Sequence, residues 1–155
     1  MRYETWTVGL IRLAGSKARS MGHSYVGSAH LLLALAEDPG SPGQLLRMAG
    51  ADPGLLGDMT GMLYGLGAPD LPLPQGFTVS AKRILAGAAQ EARRQGHRSI
   101  RPIHVLLALL RRENTAATEL LELSGIDTQE LFTRSVEYMQ WEDVYPSRRK
   151  KEAVV

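Results

Sequence analysis

ARSMGHSYVGSAHLLLAL, residues 18–35, returns as ARRQGHRSIRPIHVLLAL at residues 92–109, a constant 74 positions downstream. The match pairs Ala18 with Ala92, Gly22 with Gly96, His23 with His97, His30 with His104 and Leu35 with Leu109. Further along, LLRMAGADPGLL (45–56) faces LLELSGIDTQEL (120–131) at an offset of 75, so one residue has been gained or lost between the two blocks. A repeat of this length is a supersecondary unit duplicated in tandem, and its internal pattern sets the fold.

That pattern is helical. Tyr3, Trp6, Leu10, Leu13 and Ala14 recur at steps of three and four, the spacing of one apolar helix face, and Phe77, Ile84, Leu85, Ala88 and Ala92 do the same in the second copy. Each first helix is expected to end near Gly22 or Gly96, since glycine enters the left-handed conformation without steric cost. A second helix is expected over 28–37 with Ser28 as its N-cap, and over 102–112 with Pro102 in the first turn. Third helices over 41–49 and 115–124 stop at Gly50 and Gly125, and Asp52 and Asp127 then stand where N-caps of the fourth helices belong. No segment alternates apolar and polar residues as a half-buried strand would. The expectation is an all-α chain of two four-helix modules, eight helices in all.

The junction, GLGAPDLPLPQG (65–76), holds three prolines and three glycines and cannot continue a helix. A single domain over 1–155 follows: repeat one at 1–66, a linker at 67–76, repeat two at 77–142, and a basic tail or linker start at 143–155 containing the RRKK run at 148–151. A linker this short predicts halves that pack against each other.

Composition narrows the function classes. The 155 residues, 44% hydrophobic and 22% charged, fit an ordinary globular core. No apolar run approaches the roughly 18–20 residues that span a bilayer, and the N-terminal MRYETWTVGLIRLAG lacks the apolar stretch of a signal peptide. Without cysteine there is no disulfide, thiolate nucleophile or thiolate metal site. A cytosolic protein is the simplest expectation. The net charge of +2 divides unevenly: residues 1–75 carry five basic and six acidic side chains, residues 76–155 thirteen and ten. Between 82 and 112, Lys82, Arg83, Arg93, Arg94, Arg98, Arg101, Arg111 and Arg112 face the lone acid Glu91. Such a patch either keeps a helix face solvated or attracts nucleic acid or an acidic partner. Few aromatic residues and no helix-turn-helix pattern speak against nucleic acid.

The string GHSYVGSAHLLLAL, preceded by an Ala-Arg helix, doubled about 75 residues later and followed each time by a Gly-x-Asp step into the fourth helix, resembles the N-terminal domain of the Clp ATPases over residues 3–140. The resemblance implies a pseudo-twofold pair of four-helix repeats, monomeric when isolated. In the family this domain binds adaptor proteins and unfolded or tagged substrates and hands them to an ATPase ring that feeds a protease. The motor's phosphate loop, G-x-x-x-x-G-K-[ST], is absent from this chain, so no ATP hydrolysis or other catalysis is assigned to it and no cofactor is expected. Two settings suit the chain: part of a Clp unfoldase, or a free-standing adaptor or regulator.

The departures from the family pattern concern the site. Many members open the second helix with G-T-E-H, whose acidic residue helps hold a cationic group, and in ClpC-type members a threonine after the opening phenylalanine helps bind phosphoarginine. Here the motifs read Gly27-Ser28-Ala29-His30 and Arg101-Pro102-Ile103-His104, with Tyr3-Glu4 and Phe77-Thr78 as the openings. Neither repeat offers the carboxylate fork that a guanidinium needs, so phosphoarginine recognition is expected to be lost or weakened. Ala29 and Ile103 are instead expected to make two surfaces beside Tyr3 and Phe77 more apolar, fit for a hydrophobic peptide and prone to self-association. The histidines form matched pairs seven residues apart across a loop, unlike the i, i+4 spacing of metal ligands, and no acid lies within either motif to orient a ring. His30 and His104 are expected to bond neighbouring backbone, and His23 and His97 to help terminate the first helices. No metal site is expected.

Overall fold

A computed structural model describes residues 1–68 and 74–146. The middle of the linker and the 147–155 segment with its RRKK run lie outside the described residues. Repeat one contributes helices α1 (Thr5–Ser20), α2 (Ser28–Glu37), α3 (Ser41–Met48) and α4 (Pro53–Tyr64). Repeat two contributes α5 (Val79–Arg94), α6 (Pro102–Leu110), α7 (Ala116–Leu123) and α8 (Thr128–Val144). The described residues thus form eight helices, as the two-module pattern predicts.

Local chemistry sets the helix ends. Asp52 accepts a hydrogen bond from Leu55 N–H at 3.0 Å, and Asp127 accepts from Gln129 and Glu130 N–H, each carboxylate filling an open donor of its helix's first turn. After α1 and α5 the backbone turns left-handed at Gly22 (φ 68°) and Gly96 (φ 70°). His23 N–H then donates back to Ala18 O, and His97 N–H to Ala92 O, both at 2.9 Å. Gly22 has a second reason to be glycine: a Cβ there would run into the backbone of Gly67, whose N–H donates to Met21 O at 2.8 Å and ties the start of the linker to the end of α1.

The second helices lie at the centre. Every residue of α6 is buried, as is every residue of α2 from Ser28 to Ala36, so both are apolar on all sides for want of a solvent face. They touch each other, α2 also packs on α7, and α6 also packs on α3. Each third helix therefore serves the other repeat, and one core runs through both halves.

The absence of strands expected from the sequence needs correcting. Arg2–Tyr3 (β1) pairs in parallel with Ser99–Ile100 (β2), and Val26 forms a matching bridge with Phe77. By the 74-residue offset these are the same contact made twice, the opening of each repeat against the loop of the other. Glu4 N–H donates to Ile100 O at 3.0 Å and Thr78 N–H to Val26 O at 2.9 Å. Two-residue pairings leave no alternating pattern in a sequence, which is why they escape detection there.

Candidate functional site

Both loop motifs resolve into a short relay of imidazoles. Gly27 N–H donates to His30 Nδ1 (2.9 Å), His30 Nε2 meets His23 Nδ1 (2.7 Å), and His23 Nε2 meets Gly65 O (2.8 Å). A backbone N–H only donates and a carbonyl only accepts, so the whole chain is satisfied with one proton arrangement. His30 carries its proton on Nε2 and gives it to His23, which carries its own on Nε2 and gives it to Gly65. Protonating either ring sets two donors face to face. Burial, and then the charge of His23, accordingly lower the His30 pKa to about 4. In repeat two, Arg101 N–H donates to His104 Nδ1 (2.8 Å) and His104 Nε2 meets His97 Nδ1 (2.8 Å), but His97 Nε2 ends on the carboxylate of Asp143 (2.8 Å). Both expected histidine roles are present. The ring-to-ring contact is an addition, and the acid that orients His97 comes from α8 rather than from the motif. Among the described residues no cluster of three or more histidine, aspartate or glutamate side chains could hold a metal ion.

Above the first relay, at the seam between the repeats, opens a cavity of about 320 Å³. Gly27, Ser28, Ala29 and His30 form its base, Thr60 and Tyr64 of α4 one wall, Thr78 and Ser80 a second, and Asn114, Thr115 and Ala116 a third, with Tyr25 exposed at the rim. Four of its hydroxyls are committed inside the fold. Ser28 Oγ accepts from Ala117 N–H (3.1 Å), Thr60 Oγ1 donates to Leu56 O (2.7 Å) and Thr78 Oγ1 accepts from Ala81 N–H (3.1 Å). Tyr64 OH donates to Glu119 at 2.6 Å, joining α4 to α7; burial and that carboxylate push its pKa up to about 12. None of the residues lining the cavity carries a carboxylate, ammonium or guanidinium.

Several expected site residues sit elsewhere than the sequence suggested. Ser28 is not the N-cap of α2; Gly27 is, and Ser28 is buried, bonding across to α7. Ala29 and Ile103 do not form apolar surfaces, being 5% and 2% exposed, because α2 and α6 bury every side at their N-terminal ends. Buried so, neither side chain can bring two copies of the chain together. Only Ala29 lines the cavity, and from beneath. Tyr3 is 38% exposed, whereas Phe77 is half-buried against the core. Thr78 caps α5, while Glu4 holds the same place on α1 without a side-chain capping bond. Arg101 lies in repeat two beside Asp143, 3.4 Å from Nη2 to Oδ1. Thr60, Tyr64, Asn114 and Thr115 were not anticipated, since only the packing of α4 and α7 over α2 brings them to the cavity.

The basic stretch is partly neutralised. Glu91, buried on α5, is shared by Arg94 (3.2 Å) and Arg111, whose guanidinium also lies 4.6 Å from the Phe132 ring centre. With Arg101 beside Asp143, three of its eight cations pair with acids, the Arg94 and Arg111 side chains staying half exposed.

Comparison with known proteins gives one answer at each level. The Clp repeat (R) N-terminal domain family matches residues 3–63 and 76–145. The chloroplastic chaperone protein ClpC1 of Oryza sativa subsp. japonica is 32% identical over 136 residues, covering 87% of this chain and 15% of the relative. An ATP-dependent Clp protease ATP-binding subunit ClpA homolog of Guillardia theta is 30% identical over 136 residues, covering 87% and 17%. Among solved structures, the N-terminal domain of ClpD from Arabidopsis thaliana superposes with a TM-score of 0.69 at 20% identity, over 90% of this chain and 95% of that one. The Hsp104 N-terminal domain from Candida albicans gives 0.70 at 19%, over 90% and 92%. The chain thus spans about 15% of the curated relatives it matches, and the matched part is the N-terminal domain without the ATPase modules.

Proposed function

Because the chain belongs to the Clp repeat N-terminal domain family, we propose that it is the protein-recognition module of a Clp-type unfoldase, receiving substrates or adaptors for ATP-dependent proteolysis. The observation that carries this reading is the cavity at the seam of the repeats. It is open at the surface, built on rigid buried helices, and made by both halves, so it exists only in the folded pair. Concave sites with an apolar base and a few placed polar groups are where ligands bind. Nucleic-acid binding is the weaker reading, because three of the eight cations between 82 and 112 are already held by acids.

The chemistry of the occupant departs from the family's phosphoarginine. Ala29 stands where many members have the acidic residue, and no other carboxylate lines the cavity, so a guanidinium would lose its water without gaining a partner. Immobilised chain is expected to capture a permanently unfolded protein such as reduced, carboxymethylated lactalbumin in surface plasmon resonance, with little dependence on salt. No capture, or capture that collapses as salt rises in the manner of phosphate contacts, overturns the reading. Calorimetry with free phosphoarginine is expected to give no measurable heat of binding, and tight binding overturns the loss of that specificity. A cytosolic location belongs to the same proposal; the plant relatives are chloroplastic by name, so imaging of the tagged chain in its own cells checks it.

A further inference from the structure

Gly27 and Arg101 occupy one position in the two repeats and hold nearly the same backbone angles, φ −109° and ψ −178° against φ −98° and ψ 162°. Each is the N-cap of its central helix, and each gives its N–H to the histidine three residues on. What lies off the Cα differs. A Cβ placed on Gly27 would meet Thr78 Cγ2 at 3.4 Å, Thr78 Oγ1 at 3.7 Å and His30 Nδ1 at 3.8 Å. Both of those residues line the cavity, so a side chain at position 27 would grow into it.

In repeat two an arginine stands at that position. The Arg101 side chain is only 12% exposed, low for a group that gains most from water. One of its nitrogens reaches Asp143, while Nη1 is buried with no hydrogen-bond partner. An orphaned donor on a buried cation is costly, yet the guanidinium is buried there all the same. At the base and the opening the replacements also add bulk, Pro102 for Ser28, Ile103 for Ala29 and Glu4 for Thr78, whereas Ser99 for Tyr25 and Met139 for Tyr64 remove some at the rim and the α4-equivalent wall. In repeat one the same place is empty, uncharged, and backed by an imidazole that remains neutral to about pH 4.

We propose that the molecule has a single working site, in which the cavity of repeat one takes one uncharged, bulky side chain of a bound polypeptide, while Arg101 fills the corresponding place in repeat two. This rests on the protein-recognition reading for the nature of the ligand. The asymmetry between repeats stands on the geometry alone. A cavity of about 320 Å³ suits one aliphatic or aromatic group, and no ionic partner awaits a charged one.

The test is a ¹H–¹⁵N correlation spectrum of the ¹⁵N-labelled chain titrated with N-acetyl-phenylalaninamide, N-acetyl-leucinamide and N-acetyl-argininamide. The first two are expected to shift the amides of Gly27, Ala29, Asn114 and Ala116 saturably, leaving those of Arg101 and Ile103 in place. The arginine probe is expected to shift neither set. Gly27→Arg is expected to abolish the response, and Arg101→Gly to add a second responding set around Ile103. Position 27 already has the backbone angles that an arginine adopts at 101, and Ala116→Phe blocks the same cavity from α7 should Gly27→Arg not fold. Equal response at both places in the unaltered chain, equal binding of the arginine probe, no response at the first cavity, or no second set in Arg101→Gly each overturns the proposal. Capture of the unfolded protein with silent small probes sinks this inference alone. Probe binding without such capture sinks the proposed function alone.

Discussion

His30 shows how one buried ring ties the loop to the pH of the solution. In the unfolded chain it titrates near 6.5; in the fold its pKa is about 4, because burial and His23 both disfavour the cation. Between those values the unfolded state binds more protons, so folding stability is full above about pH 6.5 and falls as pH drops. The loss levels off below about pH 4 and, for a shift of roughly 2.5 units, is on the order of 3 kcal/mol. Urea unfolding at steps from pH 7.5 to 4 is expected to show this fall. His30→Ala is expected to be less stable at pH 7 yet to vary less over that interval. An unchanged slope in the variant would assign the pH dependence to other groups. At the same scale, Ala29→Glu is expected to give the cavity a cation partner, seen as a new calorimetric heat with phosphoarginine. A silent variant would mean that the missing carboxylate is not what excludes that ligand.

At the scale of the element, α2 and α6 carry the fold and the caps finish it. Leu106 of α6 is fully buried in the core, and Leu106→Ala is expected to cost about 2–5 kcal/mol by removing apolar contact and leaving a void. Asp127→Ala is expected to cost only about 1 kcal/mol, because water replaces part of the lost cap at the exposed start of α8. Chemical denaturation checks both, and similar costs for the two would contradict the central place of α6. The caps at Asp52 and Asp127 and the turns at Gly22 and Gly96 were legible in the sequence because each depends on residues within one helical turn. What could not be read was the exposure of single positions. Ala29 and Ile103 look like surface replacements in a motif, yet both are buried, in helices on which α7 and α3 of the opposite repeat pack. The orientation of His97 by Asp143 is hidden as well, because 46 residues of chain separate the two within one repeat.

For the whole molecule the decisive fact is the exchange at the seam. The opening of each repeat pairs with the loop of the other, α3 packs on α6, and α7 packs on α2. Neither repeat holds its own edge or completes its own core, so the duplicated sequence does not describe two domains that fold side by side. It describes one cooperative unit, and the cavity belongs to that unit because its walls come from both halves. The two tryptophans make this testable, since Trp6 lies in α1 of repeat one and Trp141 in α8 of repeat two. In the single-tryptophan variants Trp6→Phe and Trp141→Phe, the remaining indole reports on one half only. Fluorescence and far-ultraviolet circular dichroism are expected to give superimposable urea transitions when each variant is compared with itself, as a two-state unit requires. The two variants are also expected to share one denaturant slope, because that slope follows the surface exposed and here the whole molecule unfolds at once. If instead the Trp6 and Trp141 signals move at separate midpoints, with each slope reduced toward that of a half-sized unit, the repeats unfold independently. The cavity would then be lost with whichever half opens first.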